Sequence, residues 1–355
     1  MEIPKETKYG CLTSKFHAEV RMISLPDELK SGEILIRQEA CNICTADYTQ
    51  WLGQREHRGY PMAGGHEGVG TVIAKADDVY EFNLGDRIAF IFPYCGHCKN
   101  CKMGRQDECT CREKVKLPLK GTQQYFGFSQ YMVRHSRYCV KISRKLPLPE
   151  ACFVEPVATV LNAQNNLTHR LGDTVLVIGG GTMGLLNAEV ERLRGSKVIV
   201  SEVMEEKLKK AKEMGFETIN PQETDIKTVT DEFTDHEGLD IVILAVGNQV
   251  ALNQALDLIK KKNGQILFFS ASYPSAELNI PANRIHYDKL RLLGAFNSTL
   301  IDFYQASRLL GNKLVNVSKL VDSIYDLNDI QEAFKRASEP NTYRVCVKLN
   351  EWEDE

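Results

Sequence analysis

Thr174-Val175-Leu176-Val177-Ile178 runs straight into Gly179-Gly180-Gly181-Thr182-Met183-Gly184 and then into an amphipathic segment, which specifies strand, tight turn and helix in that order. A strand carrying no charge on either face must be buried on both. The pattern recurs: Lys197 to Ser201, Asp240 to Val246 and Gln265 to Ser270 read as further buried strands. Between them, apolar residues keep helical spacing, with Met183, Leu186, Val190 and Leu193 on one segment and Leu252, Ala255, Leu256 and Ile259 on another. Strands buried on both faces and joined by helices form a parallel, doubly wound sheet.

The glycines of this turn have separate physical roles. Gly179 makes the tight turn, Gly181 lets the backbone approach a pyrophosphate at the helix N-terminus, and Gly184 lets helix pack closely on strand; Thr182 and Met183 belong to the same ligand-facing turn. A glycine-rich turn without a ligand is the competing reading, and it leaves Glu202 unexplained. Glu202 ends the second strand, 18 residues past Gly184, where a carboxylate accepts hydrogen bonds from ribose hydroxyls. It would repel a 2′-phosphate, and the next residue, Val203, is no compensating cation, so NAD is favoured over NADP. Lys207, one helical turn on, reads equally as a contact to the adenosine ribose or as a solvated helix charge.

The first 150 or so residues differ in character, with short β-prone runs at Ile34 to Ile36, Gly70 to Ala74, Arg87 to Ile91, Gln130 to Val133 and Cys139 to Ile142. Within this half, Cys95-Gly-His-Cys98-Lys-Asn-Cys101 is followed after seven further residues by Cys109, the spacing at which one polar loop wraps a tetrahedral Zn²⁺. Disulfides between thiols this close would be small strained rings, and the lysines, glycines and asparagine between them offer no apolar context. Cys11, Cys139, Cys152 and Cys346 read as ordinary core or surface thiols. Beyond about Ala295 the character turns mixed again, with a helix through Ile330, Ala333, Phe334 and Ala337 behind an Asn328 cap and a closing strand at Arg344 to Leu349 that could rejoin the first domain.

At 355 residues the chain suits two domains, and its net charge of −3 supplies no basic field for nucleic acid. There is no apolar run long enough to cross a membrane and no leader-like start, so a soluble, cytoplasmic protein with reduced thiols is expected.

A second scatter of metal-binding residue types lies at Cys44, at His66-Glu67 within Gly64-Gly-His-Glu-Gly-Val-Gly70, and at Glu155-Pro156. Each has an unremarkable reading alone. Together, Cys44-x-x-Asp47, Gly65-His66-Glu67-x-x-Gly70, Gly85-Asp86-Arg87, the four-cysteine knuckle, Glu155-Pro156 and the nucleotide turn resemble the zinc-dependent medium-chain dehydrogenase/reductase family over nearly the whole chain, on its sorbitol (polyol) and threonine dehydrogenase side.

The resemblance implies an α/β protein. A GroES-like β-rich catalytic domain (1–154) would carry both zinc sites, a Rossmann NAD-binding domain (155–294) would follow, and a return segment (295–355) would complete the first, with substrate between the two. It also implies a catalytic zinc held by Cys44, His66 and Glu67, with Glu155 as a direct ligand or as the holder of a zinc-bound water, and with Asp47 behind them. A structural zinc would sit on Cys95, Cys98, Cys101 and Cys109. The implied chemistry is hydride transfer between NAD(H) and a secondary alcohol or ketone of a polyol, cyclitol, sugar or hydroxy amino acid, in a homodimer or homotetramer formed through an edge strand at Lys289 to Phe296. Substrate-lining residues would come from Trp51 to Tyr60 and from near Phe296-Asn297.

One position departs from the family pattern. Where its proton relay has Ser or Thr and then His, this chain has Ala46 and Thr49, while Thr45, in an extended segment, would face away. That leaves a carbonyl or conjugated-alkene reductase with water-borne protons, and a non-catalytic NAD-binding redox sensor, as alternatives.

Overall fold

The computed structural model describes residues 3–56, 58–115 and 126–352. The chain divides into two compact units, one of residues up to 158 together with residues from 298 on, the other of residues 159–297. The expected limits at 154 and 294 fall 4 and 3 residues short of these, the first because a single helix, Val154–Gln164, runs through it.

The first unit opens with an antiparallel hairpin of β1 (Glu6–Ser14) and β2 (His17–Ser24). The sequence pattern misses it because β2 is mostly solvated and carries Glu19 and Arg21. There follow β3 (Glu33–Asn42), α1 (Thr45–Trp51), β4 (Glu67–Lys75), β5 (Arg87–Phe90), α2 (Lys99–Lys102), β6 (Tyr131–His135), β7 (Cys139–Lys141), α3 (Leu148–Ala151) and α4 (Val154–Gln164).

In the second unit β8 (Thr174–Ile178), α5 (Thr182–Leu193), β9 (Lys197–Ser201), α6 (Glu205–Glu213), β10 (Glu217–Ile219), α7 (Ile226–Phe233), β11 (Ile241–Leu244), α8 (Gln249–Leu258), β12 (Gln265–Phe268), α9 (Ala282–Asp288) and β13 (Arg291–Gly294) alternate. The chain then returns to the first unit through α10 (Leu300–Gly311), β14 (Val321–Asp326), α11 (Ile330–Ala337) and β15 (Arg344–Lys348).

β3 organises the first unit. Its first half pairs antiparallel with β6, from Glu33↔His135 to Arg37↔Tyr131, and its last three residues pair with β15, from Ala40↔Lys348 to Asn42↔Cys346. Along its other edge runs β4, ending in Asn42↔Glu67. The last strand therefore joins the sheet begun by the first hundred residues. α11 covers one face of that sheet with Ile330, Ala333, Phe334 and Ala337, all buried and packed with Phe128, Trp51 and Val345. Its N-cap is Asp329 rather than the expected Asn328, which is taken up by a preceding 3₁₀ turn, Leu327–Asp329.

The second unit is a parallel sheet in the order β10-β9-β8-β11-β12-β13. Successive strands leave β8 in opposite directions, so the crevice at its carboxyl end is the switch point at which ligands of such sheets bind. Gly179 has φ +112, a conformation costly for a side-chain-bearing residue. A Cβ on Gly184 would lie 1.8 Å from the Gly179 carbonyl oxygen, whereas one on Gly181 would meet nothing within 4 Å.

These two positions give opposite expectations for one small change. Gly184→Ala drives a methyl into backbone that cannot rotate away and should destabilise the protein by about 3 kcal/mol, at the upper end of overpacking costs. Gly181→Ala should stay within about 0.5 kcal/mol of wild type. Thermal and denaturant unfolding of both variants checks this, and equal stabilities would contradict the close packing.

Candidate functional site

Three assemblies of the expected residues form. In the first, the sulfurs of Cys95, Cys98, Cys101 and Cys109 all lie within 4.8 Å of one another. The loop turns its backbone N–H groups onto them: Cys95 Sγ accepts from His97 at 3.4 Å and Cys98 at 3.3 Å, Cys98 Sγ accepts from Cys101 at 3.5 Å, and Cys109 Sγ accepts from Cys95 at 3.3 Å. N–H donation stabilises thiolate, and it brings Cys98 down to about 6 and lowers Cys95. Burial pushes Cys101 up to about 12, so the four do not ionise together unaided. The donor set fits a closed, tetrahedral, soft divalent cation, which ionises all four at once. Cys11, Cys139, Cys152 and Cys346 are buried elsewhere.

The second assembly is built at the junction of β3, α1, β4 and β15. Cys44 is the N-cap of α1, and the chain just before it is pinned to β15 by the bond from Ile43 N–H to Val345 O at 2.9 Å. Asp47, wholly buried, accepts from the Cys44 N–H at 3.2 Å and the Gly65 N–H at 3.4 Å, and its Oδ2 lies 3.5 Å from His66 Nδ1. One carboxylate thus holds both ligand-bearing loops and turns the imidazole so that Nε2 points away from it. Cys44, His66 and Glu67 each offer a ligand atom within 4.8 Å of the other two. Thiolate, imidazole and carboxylate, three protein donors rather than four, are the ligand set of a catalytic zinc site.

Glu155, in the first turn of α4, does not join that mutual set, but its charge acts on His66. Burial works to lower the His66 pKa, and the charges of Asp47, Cys44 and Glu155 overcome it, leaving the imidazole well above its ordinary value. Burial, reinforced by Glu67, raises the Cys44 thiol against the opposing influence of His66 and Arg344.

Arg344 is the residue that sequence reading passed over. Its Nε donates to Glu67 Oε2 at 2.8 Å and its Nη2 to Oε1 at 2.7 Å, and Nη2 also approaches Cys44 Sγ at 3.8 Å. Both partners are almost fully buried, at 3% and 1% exposure, so Arg344 stays a cation whose charge offsets that of Glu67. The two are 277 positions apart in the chain, and the local signal is a charge just before the apolar run Val345 to Val347 of the closing strand.

The relay positions also differ from expectation. Thr45 opens a helix rather than an extended stretch, because Cys44 caps α1 there, and its side chain is exposed. The Thr49 hydroxyl donates to the Thr45 carbonyl at 2.8 Å, so its proton is engaged within its own helix. In the expected substrate loop Trp51 to Tyr60, His57 lies outside the described residues.

The third assembly is the glycine turn. Gly179 N–H bonds Ser201 O at 2.8 Å, and α5 starts from Gly181, whose carbonyl receives Leu185 N–H at 2.9 Å. Thr182, Met183 and Gly184 form its first turn, and the N-terminal end of a helix, with its dipole, favours an anion. Glu202, 8% exposed, is held by N–H groups of Gly180 at 2.8 Å, Val203 at 2.7 Å and Met204 at 3.1 Å. These bonds fix the carboxylate at the end of β9 beside the turn. Lys207 is half-buried on α6.

Comparison with known proteins identifies the family. Residues 30–144 match the family model of the alcohol dehydrogenase GroES-like domain, and residues 182–312 match that of the zinc-binding dehydrogenase domain; together the two segments cover more than half of the chain. The chain is 29% identical to a sorbitol dehydrogenase of Halalkalibacterium halodurans, over 89% of this chain and 91% of that protein. It is 26% identical to a D-arabitol-phosphate dehydrogenase of Enterococcus avium, over 92% and 93%. Among solved structures it is similar to one described as a zinc-binding dehydrogenase from Sinorhizobium meliloti bound to NADP, with TM-score 0.84 and 25% identity over 97% of this chain and 100% of that one. The fold is shared with an Escherichia coli alcohol dehydrogenase complexed with NADH, at TM-score 0.85 and 23% identity over 98% and 100%. With these matches beside its two cysteine-bearing donor sets and its glycine turn, the chain belongs to the zinc-dependent medium-chain dehydrogenase/reductase family, in the polyol dehydrogenase-like branch.

Proposed function

We propose that the protein is an NAD(H)-dependent zinc dehydrogenase that interconverts a secondary alcohol and ketone of a polyol, cyclitol, sugar or related hydroxy compound. The observation that carries this is the open set of Cys44, His66 and Glu67 with Asp47 bonded behind it, in a chain that also bears a complete dinucleotide turn. A divalent zinc held there supplies Lewis acidity to a hydroxyl or carbonyl oxygen, and the nicotinamide supplies the hydride acceptor or donor. Asp47 keeps the imidazole of His66 oriented, and Arg344 offsets the Glu67 charge so that the site tolerates burial.

Proton movement is assigned to Glu155. Ala46 has no exchangeable group, and the Thr49 hydroxyl is committed to its helix, whereas Glu155 is a carboxylate close enough to raise His66. Its role is to accept the alcohol proton directly or through one water. The same two residues favour the second reading, reduction of a carbonyl or conjugated alkene with protons from water. An NADH absorbance assay over a polyol panel with zinc-loaded protein tests the first. Turnover is expected in wild type, and Glu155→Gln should lower kcat by roughly a hundredfold or more while cofactor affinity is kept. A zinc-loaded Glu155→Gln protein with full turnover would transfer support to the reductase reading.

Cofactor preference is assigned to Glu202. Related proteins carry NADP in one structure and NADH in another, so the shared fold alone does not choose. A buried carboxylate fixed by three N–H groups beside the turn is a good acceptor for a ribose hydroxyl and a poor neighbour for a 2′-phosphate. NAD should be used with the higher kcat/KM, and Glu202→Ala should narrow the gap mainly by weakening NAD. Equal kcat/KM for both cofactors in wild type would remove the assignment.

Assembly is proposed to run through β13. This strand pairs with β12 on one edge, and beside it Tyr287 and Phe296 are 69% and 73% exposed. Native mass spectrometry of the purified protein should give a dimer or tetramer of the 40.1 kDa chain with two zinc ions per chain, one in each donor set. A monomer, or one zinc per chain, would overturn the corresponding half of this expectation.

A further inference from the structure

Asn42 ends β3 between the two strands that carry the Arg344 and Glu67 pair. It is opposite Glu67 on β4 and opposite Cys346 on β15, so its side chain shares a sheet face with both, and Arg344, two residues from Cys346, lies on that face too. Directly opposed residues have Cβ atoms about 5 Å apart, within reach of an amide and a carboxylate. Asn42 is 0% exposed, yet among the described residues neither its Nδ2 nor its Oδ1 has a hydrogen-bond partner. A buried amide left this way costs about 1–3 kcal/mol, so an apolar side chain of the same size would be the more stable occupant.

Glu67, meanwhile, has two claims on it. Both its oxygens are taken by Arg344, and one of them also belongs to the ligand set with Cys44 and His66. An oxygen that turns to a metal leaves a guanidinium N–H behind in a buried place, which is costly for a charged donor. An amide offers an acceptor for that N–H and a donor for the carboxylate. We propose that Asn42 is a positioning residue of the metal site: its amide takes up the hydrogen bonds released when Glu67 turns from Arg344 toward the metal, and so sets how readily Glu67 serves as a ligand. This rests on the reading of Cys44, His66 and Glu67 as a metal site.

The test is Co²⁺ and Zn²⁺ affinity, measured by competition with a chelator, with the thiolate-to-Co²⁺ absorption band reporting the site. Cys44→Ser identifies the phase that belongs to this site rather than to the knuckle. Absence of such a phase in wild type would overturn the metal-site reading itself. Given that phase, Asn42→Leu should raise its dissociation constant about 10- to 100-fold, the range typical of groups that support a ligand. Its metal-free unfolding midpoint should equal or exceed that of wild type, since an unpaired amide has been removed. Unchanged affinity in folded Asn42→Leu, or a metal-free midpoint that falls along with the affinity, would overturn the proposal. Asn42→Ala, which removes the amide without adding bulk, gives the same affinity readout should the leucine variant not fold.

Discussion

The first unit closes around a buried ion pair. Arg344 stands at the head of the last strand and Glu67 at the head of the fourth, and their two bonds cross the end of β3 with almost no solvent access. Removing one partner from such a pair leaves an uncompensated buried charge, a loss of about 3–5 kcal/mol. The pair also determines what the site can be. It draws β15 against β3, which fixes Ile43 and hence the position of Cys44, and it surrounds a thiol and an imidazole with charges that sum close to neutrality.

Asp47 supports the same site from the other side. Its carboxylate accepts N–H bonds from two separate loops and faces the imidazole, so it decides both the orientation of one ligand and the entry of α1. The structure keeps the functional donors on backbone that is already held by sheet and helix ends. The knuckle works in the opposite way, because its loop has little regular structure besides two short helical turns, Lys99–Lys102 and Gln106–Glu108, and its order comes from N–H groups gathered around sulfur.

The second unit depends on steric closeness rather than charge. Gly184 rests against the Gly179 carbonyl, and the helix that begins beside it can follow the strand only at that separation. The anion-favouring helix end and Glu202 are then placed at the switch point of the sheet by the order of strands, β8 lying between β9 and β11.

Much of this was legible in the chain because it is local. Strand Thr174 to Ile178, the glycine turn, Glu202 at the end of the next strand and the four clustered cysteines are set by spacings of a few residues, and periodicity or ligand geometry reads such spacings directly. The β-rich half and its closing strand were visible as runs, though the solvated β2 was not, since a strand with one weakly buried face lacks the alternation that marks it. Nothing in Cys44 advertises an N-cap before Thr45; that role is created by Asp47 folding back on it. Arg344 and Asn42 could not be found from sequence at all. A charged residue in a strand and an asparagine after a cysteine acquire their meaning only when β15, β3 and β4 are laid side by side, because the energy of a buried charge or amide is decided by neighbours that chain order does not supply.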